Sequence, residues 1–289
     1  MTERQLEKQK QMIAAAKEFI AGAKPKEVME KYGVCYASIW NAIKKYNLPY
    51  DKTWGRTVFF NEQFFENIDT EQKAYWLGFI FADGSVIKTD KRIENYNRIC
   101  IGLAIKDKPH LKKLESILNF SESNRTKIHH NKTNGNDFCY LHMNSTKMCS
   151  DIISHGCVPN KTYNINHIPI GIPENLIRHF IRGYFDGDGC ISGKPTCPIF
   201  SITTCKTHNE WMQAYLMKYC KLSRTKLKPY RNIHELRYGG INQAIRIFHY
   251  LYDNATVFLE RKYNKFLTYV SCRDQTISSS SNEELSTSV

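Results

Sequence analysis

Apolar residues recur at helical spacing in the first 46 positions and shift towards alternation further on, and that change of period divides the chain. Residues 10–23 (KQMIAAAKEFIAGA) carry Ile13, Ala16, Phe19 and Ile20 on one helical stripe. Lys24 and Pro25 interrupt it and open a second predicted helix, Lys26 to Tyr32, with Val28 and Met29 facing inward. Gly33-Val34 then predicts a tight turn, because glycine accepts φ > 0. A third helix is predicted from about Tyr36 to Tyr46, with Ile39, Trp40 and Ile43 at core spacing. Residues 47–62 (NLPYDKTWGRTVFFNE) hold proline, glycine and few periodic positions, and read as a linker.

The longer part of the chain repeats itself. EQKAYWLGFIFA runs into Asp83-Gly84-Ser85-Val86, and NLIRHFIRGYFDG runs into Asp188-Gly189-Cys190-Ile191, an offset of 105 residues. Arg125-Thr126-Lys127-Ile128 returns as Arg224-Thr225-Lys226-Leu227 at an offset of 99. The segment around Gly156 to Thr162 matches Phe258 to Tyr263, with Lys161 and Lys262 offset by 101. In the first copy, strands are predicted at Ser85–Lys88, Arg98–Ile105, Lys127–His130 and Phe138–Met143. The alternation of Ile99, Ile101 and Leu103 suits a sheet with one buried face. A helix is predicted from His110 to Leu118. In the second copy, strands are predicted at Ile199–Thr204, Leu227–Arg231 and Ile233–Tyr238, with helices at Asn209–Lys221 and Gln243–Leu251. Each copy is therefore αββαββα in outline, and the fold class is α+β with an all-α N-terminal module. The expected boundaries are 1–48 for that module, 49–63 for the linker, 64–165 and 166–272 for the repeats, and 273–289 for a tail.

Charge changes the picture next. The chain of 289 residues carries 41 Lys+Arg against 28 Asp+Glu, a formal +13. Residues 274–289 hold three of the acids and no Lys or Arg, so the rest of the chain carries +16. That serine-rich tail reads as disordered, while the basic body points to a polyanionic partner. No run approaches the ~18 apolar residues of a membrane span. The N-terminal MTERQLEKQK has no apolar core of a secretory leader, so an intracellular address and no membrane partner are expected.

Ten cysteines suggest metal or disulfides, yet no pair is spaced C-x-x-C, the knuckle that structural zinc sites need. Buried or incidental free thiols are expected instead. His129-His130-Asn131 lacks partners at a spacing useful for a His-based nuclease.

Two resemblances follow from these residues. The short helix, glycine turn and longer helix ending in Lys44-Lys45 resemble a helix-turn-helix, which would project Tyr36, Ser38, Asn41, Lys44 and Lys45 toward DNA. Trp76-Leu77-Gly78-Phe79-Ile80-Phe81-Ala82-Asp83-Gly84 and Ile181-Arg182-Gly183-Tyr184-Phe185-Asp186-Gly187-Asp188-Gly189 resemble the paired motif of LAGLIDADG homing endonucleases. The resemblance spans roughly residues 64–270. It implies a pseudo-twofold monomer whose motif helices pack side by side and whose two saddle-shaped antiparallel sheets lie in the DNA major groove. Gly78, Ala82, Gly183 and Gly187 would let the two helix backbones approach closely and bring Asp83 and Asp188 together. Two carboxylates at that range repel unless a cation intervenes, and Mg2+, with Mn2+ able to substitute, suits a few hard oxygens and retained waters. Phe81 departs from the motif by replacing its earlier acid, which Asp186 keeps in the second copy. Lys161 and Lys262 match the positions that close each repeat and would act beside the phosphate, with Lys147 as a rival.

Groove contacts are expected from outward polar positions of strands and hairpins. These are Lys88, Lys91, Arg92, Arg98, Arg125, Lys127, Lys132 and Asn134 in the first copy. In the second they are Lys194, Thr204, Arg224, Lys226, Lys228, Arg231 and Arg237. The expected activity is sequence-specific hydrolysis of double-stranded DNA with divalent metal, the N-terminal module lengthening the footprint. The alternative is a non-cleaving nucleic-acid binder of the same fold, an RNA maturase or a transcriptional regulator. Met1 at the start and no His-Asn pair at the end point away from an intein, toward a free-standing phage- or intron-encoded protein.

Overall fold

A computed structural model describes residues 2–49, 58–90, 94–122, 125–130, 137–159 and 168–271. The expected tail, most of the linker, and the site candidates Lys91, Arg92, Lys132, Asn134 and Lys161 lie outside the described residues. The chain packs as two compact units, residues 1–59 and 60–289.

The first unit holds three helices: α1 (Glu3–Ile20), α2 (Pro25–Tyr32) and α3 (Tyr36–Lys45). Helix α1 starts at Glu3, ten residues before Ile13 opens the apolar stripe, because Thr2 and Gln5 form a reciprocal capping box over polar first turns that contact little. Pro25 sits at the first position of α2, where no N–H is required, and Gly33 ends it at φ 60. Ala15, Ala16, Phe19, Val28, Ile39, Ala42 and Ile43 form a separate small core.

The second unit contains two four-stranded antiparallel sheets. In the first copy, α4 (Glu71–Asp83) is followed by β1 (Gly84–Ile87), β2 (Arg98–Ala104), α5 (Lys108–Ile117), β3 (Lys127–His129), β4 (Phe138–Asn144) and α6 (Thr146–Ser154). In the second, α7 (Ile177–Asp188) precedes β5 (Cys190–Lys194), β6 (Cys197–Thr204), α8 (Lys206–Cys220), β7 (Lys228–Tyr230), β8 (Ile233–Gly239) and α9 (Ile241–Tyr252). The strand orders β1-β2-β4-β3 and β5-β6-β8-β7 are the same arrangement twice. Three elements, α6 among them, are given no range by the sequence pattern. Strand β5 (CISGK) is short and broken by Gly193 at φ 94, and a further helix, α10 at residues 260–271, follows α9.

The two copies share one core rather than forming separate bodies. Each sheet buries one face: Ile99, Ile101 and Leu103 pair with Met143, Leu141 and Cys139 on the covered side of the first. Phe200 and Ile202 pair with Tyr238 and Leu236 on the covered side of the second. Phe60 stacks on Phe120 at 4.6 Å, and Phe64, Phe65 and Ile68 are buried ahead of α4. Among the described residues no helix is long and apolar enough to cross a membrane.

Candidate active site

Helices α4 and α7 form the main contact between the two copies, and their glycines set its closeness. A methyl built on Gly78 would overlap the Phe180 carbonyl, and one on Gly183 would overlap the Tyr75 carbonyl. Nearer the C-terminal ends, a methyl on Gly187 would collide with Ala82 and come within 3.4 Å of Asp83 Oδ2. Asp83 and Asp188 are the last residues of their helices, Asp83 half-buried and Asp188 exposed. Each carboxylate stands at the negative end of a helix macrodipole, which disfavours it locally. The paired helices thus bring hard-oxygen donors of the kind magnesium takes to one end of the seam. Among the described residues no group of three or more His, Cys, Asp or Glu gathers.

Beside these acids lies a polar network. Asp186 is buried and accepts hydrogen bonds from the Tyr75 hydroxyl at 2.8 Å, the Tyr252 hydroxyl at 2.6 Å and the Leu259 N–H at 2.8 Å. Burial raises its carboxyl above the ordinary range, against the pull of those bonds. Because Tyr75 donates its only hydroxyl proton to Asp186, it accepts from His110 Nε2 at 2.9 Å. His110 therefore carries a proton on Nε2, and burial pushes its pKa down to about 3, which keeps the ring neutral at ordinary pH. Along the same side of the helix pair, the fully buried Arg182 meets Glu71 at 2.6 Å and donates to the carbonyls of Leu251 and Val257.

Lys262 is nearly buried, and its ammonium donates to the carbonyls of Phe185 (2.7 Å), Gly187 (2.8 Å) and Gly189 (2.6 Å). Burial pushes it down to about 8, while Asp186, Asp83 and Asp188 pull the other way. All three protons are engaged, so Lys262 caps the end of α7 and fixes the turn that carries Asp188. The sequence expectation places this ammonium beside a phosphate; here it lies on three backbone carbonyls. Lys147 is paired with Asp151 at 2.9 Å and Glu66 at 3.3 Å.

The open faces of the sheets hold most of the other sequence candidates. Arg98 and Lys127 face outward, Arg98 with its Nε donating to Asn144 Oδ1 at 2.7 Å. Lys88 is exposed, its ammonium 5.3 Å from the Tyr96 ring centroid. Lys194, Lys228 and Arg231 are exposed, and Arg237 is half-exposed opposite Ser201. Thr204 does not belong with them: it is 8% exposed, pairs with His234 on the covered face and accepts from the Tyr184 hydroxyl at 2.8 Å. Its neighbour Thr203 takes the outward position. Arg224 and Lys226 precede β7 and line a cleft with Lys206 and Gln213 beside α8, while Arg125 is ion-paired with Glu122 at 3.1 Å. In the first unit, Tyr36, Asn41, Lys44 and Lys45 are exposed on α3. Tyr36 leans on Phe19 at 5.6 Å, and the Ser38 hydroxyl sits 3.1 Å from Cys35 Sγ.

Sequence reasoning did not find Tyr75, His110, Tyr252, Glu71 or Arg182. A signal was present: Asp186 and Arg182 stand in an otherwise apolar helix face, and buried charges require partners.

The chain is similar to three solved structures in particular. One is the LAGLIDADG meganuclease I-AabMI bound to uncleaved DNA, with 15% identity, 71% of this chain and 91% of that chain covered, and a TM-score of 0.48. A second is the LAGLIDADG homing endonuclease I-GzeII in complex with its DNA target, with 15% identity, 72% and 91% covered, and a TM-score of 0.48. A third is the I-LtrWI LAGLIDADG homing endonuclease bound to target DNA, with 13% identity, 75% and 92% covered, and a TM-score of 0.48. No protein-family model matches the chain. No curated protein matches it.

Proposed function

We propose that this chain is a sequence-specific, metal-dependent endonuclease of double-stranded DNA, acting as a monomer with internal pseudo-twofold symmetry. The observation that carries the reading is the pair Asp83 and Asp188, brought to one end of a glycine-lined seam that lies between two sheets with open faces. Both carboxylates offer oxygen ligands for Mg2+, with Mn2+ able to substitute. A divalent cation bound there supplies an activated water and offsets charge on the leaving oxygen. The chain's own residues do the positioning. Gly78 and Gly183 set the helix separation, and Lys262 holds the α7 terminus so that Asp188 faces its counterpart. The outward strand residues Lys88, Arg98, Lys127, Lys194, Lys228, Arg231 and Arg237 contact the duplex, and Arg224 and Lys226 add positive charge beside it.

The test is cleavage of a randomised duplex library with magnesium. Asp83→Asn and Asp188→Asn are expected to abolish cutting while leaving duplex affinity within about threefold; full cutting by the double variant would refute the assignment. Retained binding with no cutting by the wild type would favour the non-cleaving reading instead.

A further inference from the structure

The open faces of the two sheets are built from different chemistry at matching places. On the first, Tyr140 and His142 of β4 stand opposite Gly102 and Cys100 of β2, and Phe138 stands opposite Ala104. On the second, the corresponding pairs are Glu235 opposite Thr203 and Arg237 opposite Ser201. The first face is thus rings beside small residues. Phe138 and Tyr140 are 6.2 Å apart and Tyr140 and His142 are 4.6 Å apart, in a row along β4. Phe138 is 39% and Ile87 37% exposed, and Gly102 leaves open space, since a methyl there would meet nothing nearer than 4.0 Å. At those places the second face carries carboxylate, guanidinium and hydroxyl groups where the first carries rings and small side chains; Tyr230, 59% exposed at the end of β7, pairs with Ile233 outside them.

In a major groove these surfaces read different things. The thymine 5-methyl is the apolar group that base edges present there, whereas guanine and cytosine are distinguished by hydrogen bonds to Arg and Glu or Asp. We infer that the β1–β4 face recognises its half of the duplex through thymine methyl groups, by Phe138, Tyr140 and Ile87. The β5–β8 face recognises the other half by hydrogen bonds from Arg237, Glu235 and Thr203. This rests on the proposed duplex-binding function and adds its specificity: an asymmetric target whose one half is rich in thymine. Arg98 and Lys127 flank the rings and supply backbone charge without changing the preference.

The test uses the full chain and duplexes selected from a random library, with binding measured in EDTA so that cutting plays no part. Each selected duplex is remade with deoxyuridine for thymidine in one half or the other, which deletes only the 5-methyl groups. In the half facing β1–β4, affinity is expected to fall roughly fourfold per contacted methyl; in the other half it changes less than about twofold. Phe138→Ala is expected to reduce the difference between the halves, and Phe138→Leu, which keeps an apolar contact, to retain it. Equal responses from both halves, or a difference untouched by Phe138→Ala, would overturn the inference while leaving duplex binding intact. Recovery of no bound duplex at all would overturn the proposed function, and this inference with it.

Discussion

The Tyr75 hydroxyl donates to Asp186 at 2.8 Å across the α4–α7 seam, and the contact related to it by the internal repeat is Phe180 against Phe81, ring to ring at 5.0 Å. Tyr75 and Phe180 are 105 residues apart, as are Phe81 and Asp186. The seam is therefore polar on one side of its pseudo-twofold axis and apolar on the other. Phe81 is no defect of the first motif, because it completes an apolar pair.

Tyr75→Phe removes one of three donors to a buried carboxylate and the acceptor of His110. It is expected to cost about 1–3 kcal/mol in urea unfolding. Phe180→Leu on the opposite side loses only packing and should cost less than about 1.5 kcal/mol.

Gly78→Ala and Gly183→Ala each force a methyl onto a backbone carbonyl that has no room to move. Each is expected to lower stability by more than about 2 kcal/mol, because the helix pair must separate. Gly102→Ala, on an open sheet face, is the control and should change the melting temperature by no more than a few degrees.

His110 makes stability depend on pH. Its folded value is about 3 against an ordinary 6.5, so the unfolded chain binds the extra proton between those limits. The contribution is complete above pH 6.5 and is lost as pH falls toward 3. Between pH 6.5 and 4.5 wild type should lose roughly 2–3 kcal/mol through this group. His110→Phe should show a correspondingly flatter profile in denaturant titrations; an unchanged slope would place the proton elsewhere.

Deleting residues 1–50 is expected to weaken duplex affinity, and Lys44→Ala with Lys45→Ala to reduce the salt slope by about one to two. An unchanged slope in an equilibrium binding series would show that α3 touches no phosphate.

Much of this architecture was legible because it is local or repeated. Ile99, Ile101 and Leu103 announce a one-sided strand, Gly33 a left-handed turn, and the two Asp-Gly helix ends a duplicated site. What stayed hidden depends on tertiary partners. Thr204 reads as an outward polar residue until β6 is seen to bury Phe200, Ser201 and Ile202 in succession, so alternation cannot set its phase. Lys262 reads as a free ammonium because its partners are backbone carbonyls, which leave no mark in sequence. The Arg261–Asp107 pair, 2.8 Å across 154 residues, joins the copies through side chains that look like ordinary surface charges. Strand β5 is too short to announce itself.

The ion pair between Glu71 and Arg182 bears on which halves can pair. Their counterparts in the repeat are Leu176 and Leu77, each 105 residues away. If two molecules exchanged halves, a seam made from two second copies would set Arg182 against Leu176 on both sides. One made from two first copies would set Glu71 against Leu77. Each mispairing strands buried charge without a counterion, which costs several kcal/mol. The chain thereby recognises its own other half, and duplication has produced two surfaces that fit each other better than they fit themselves.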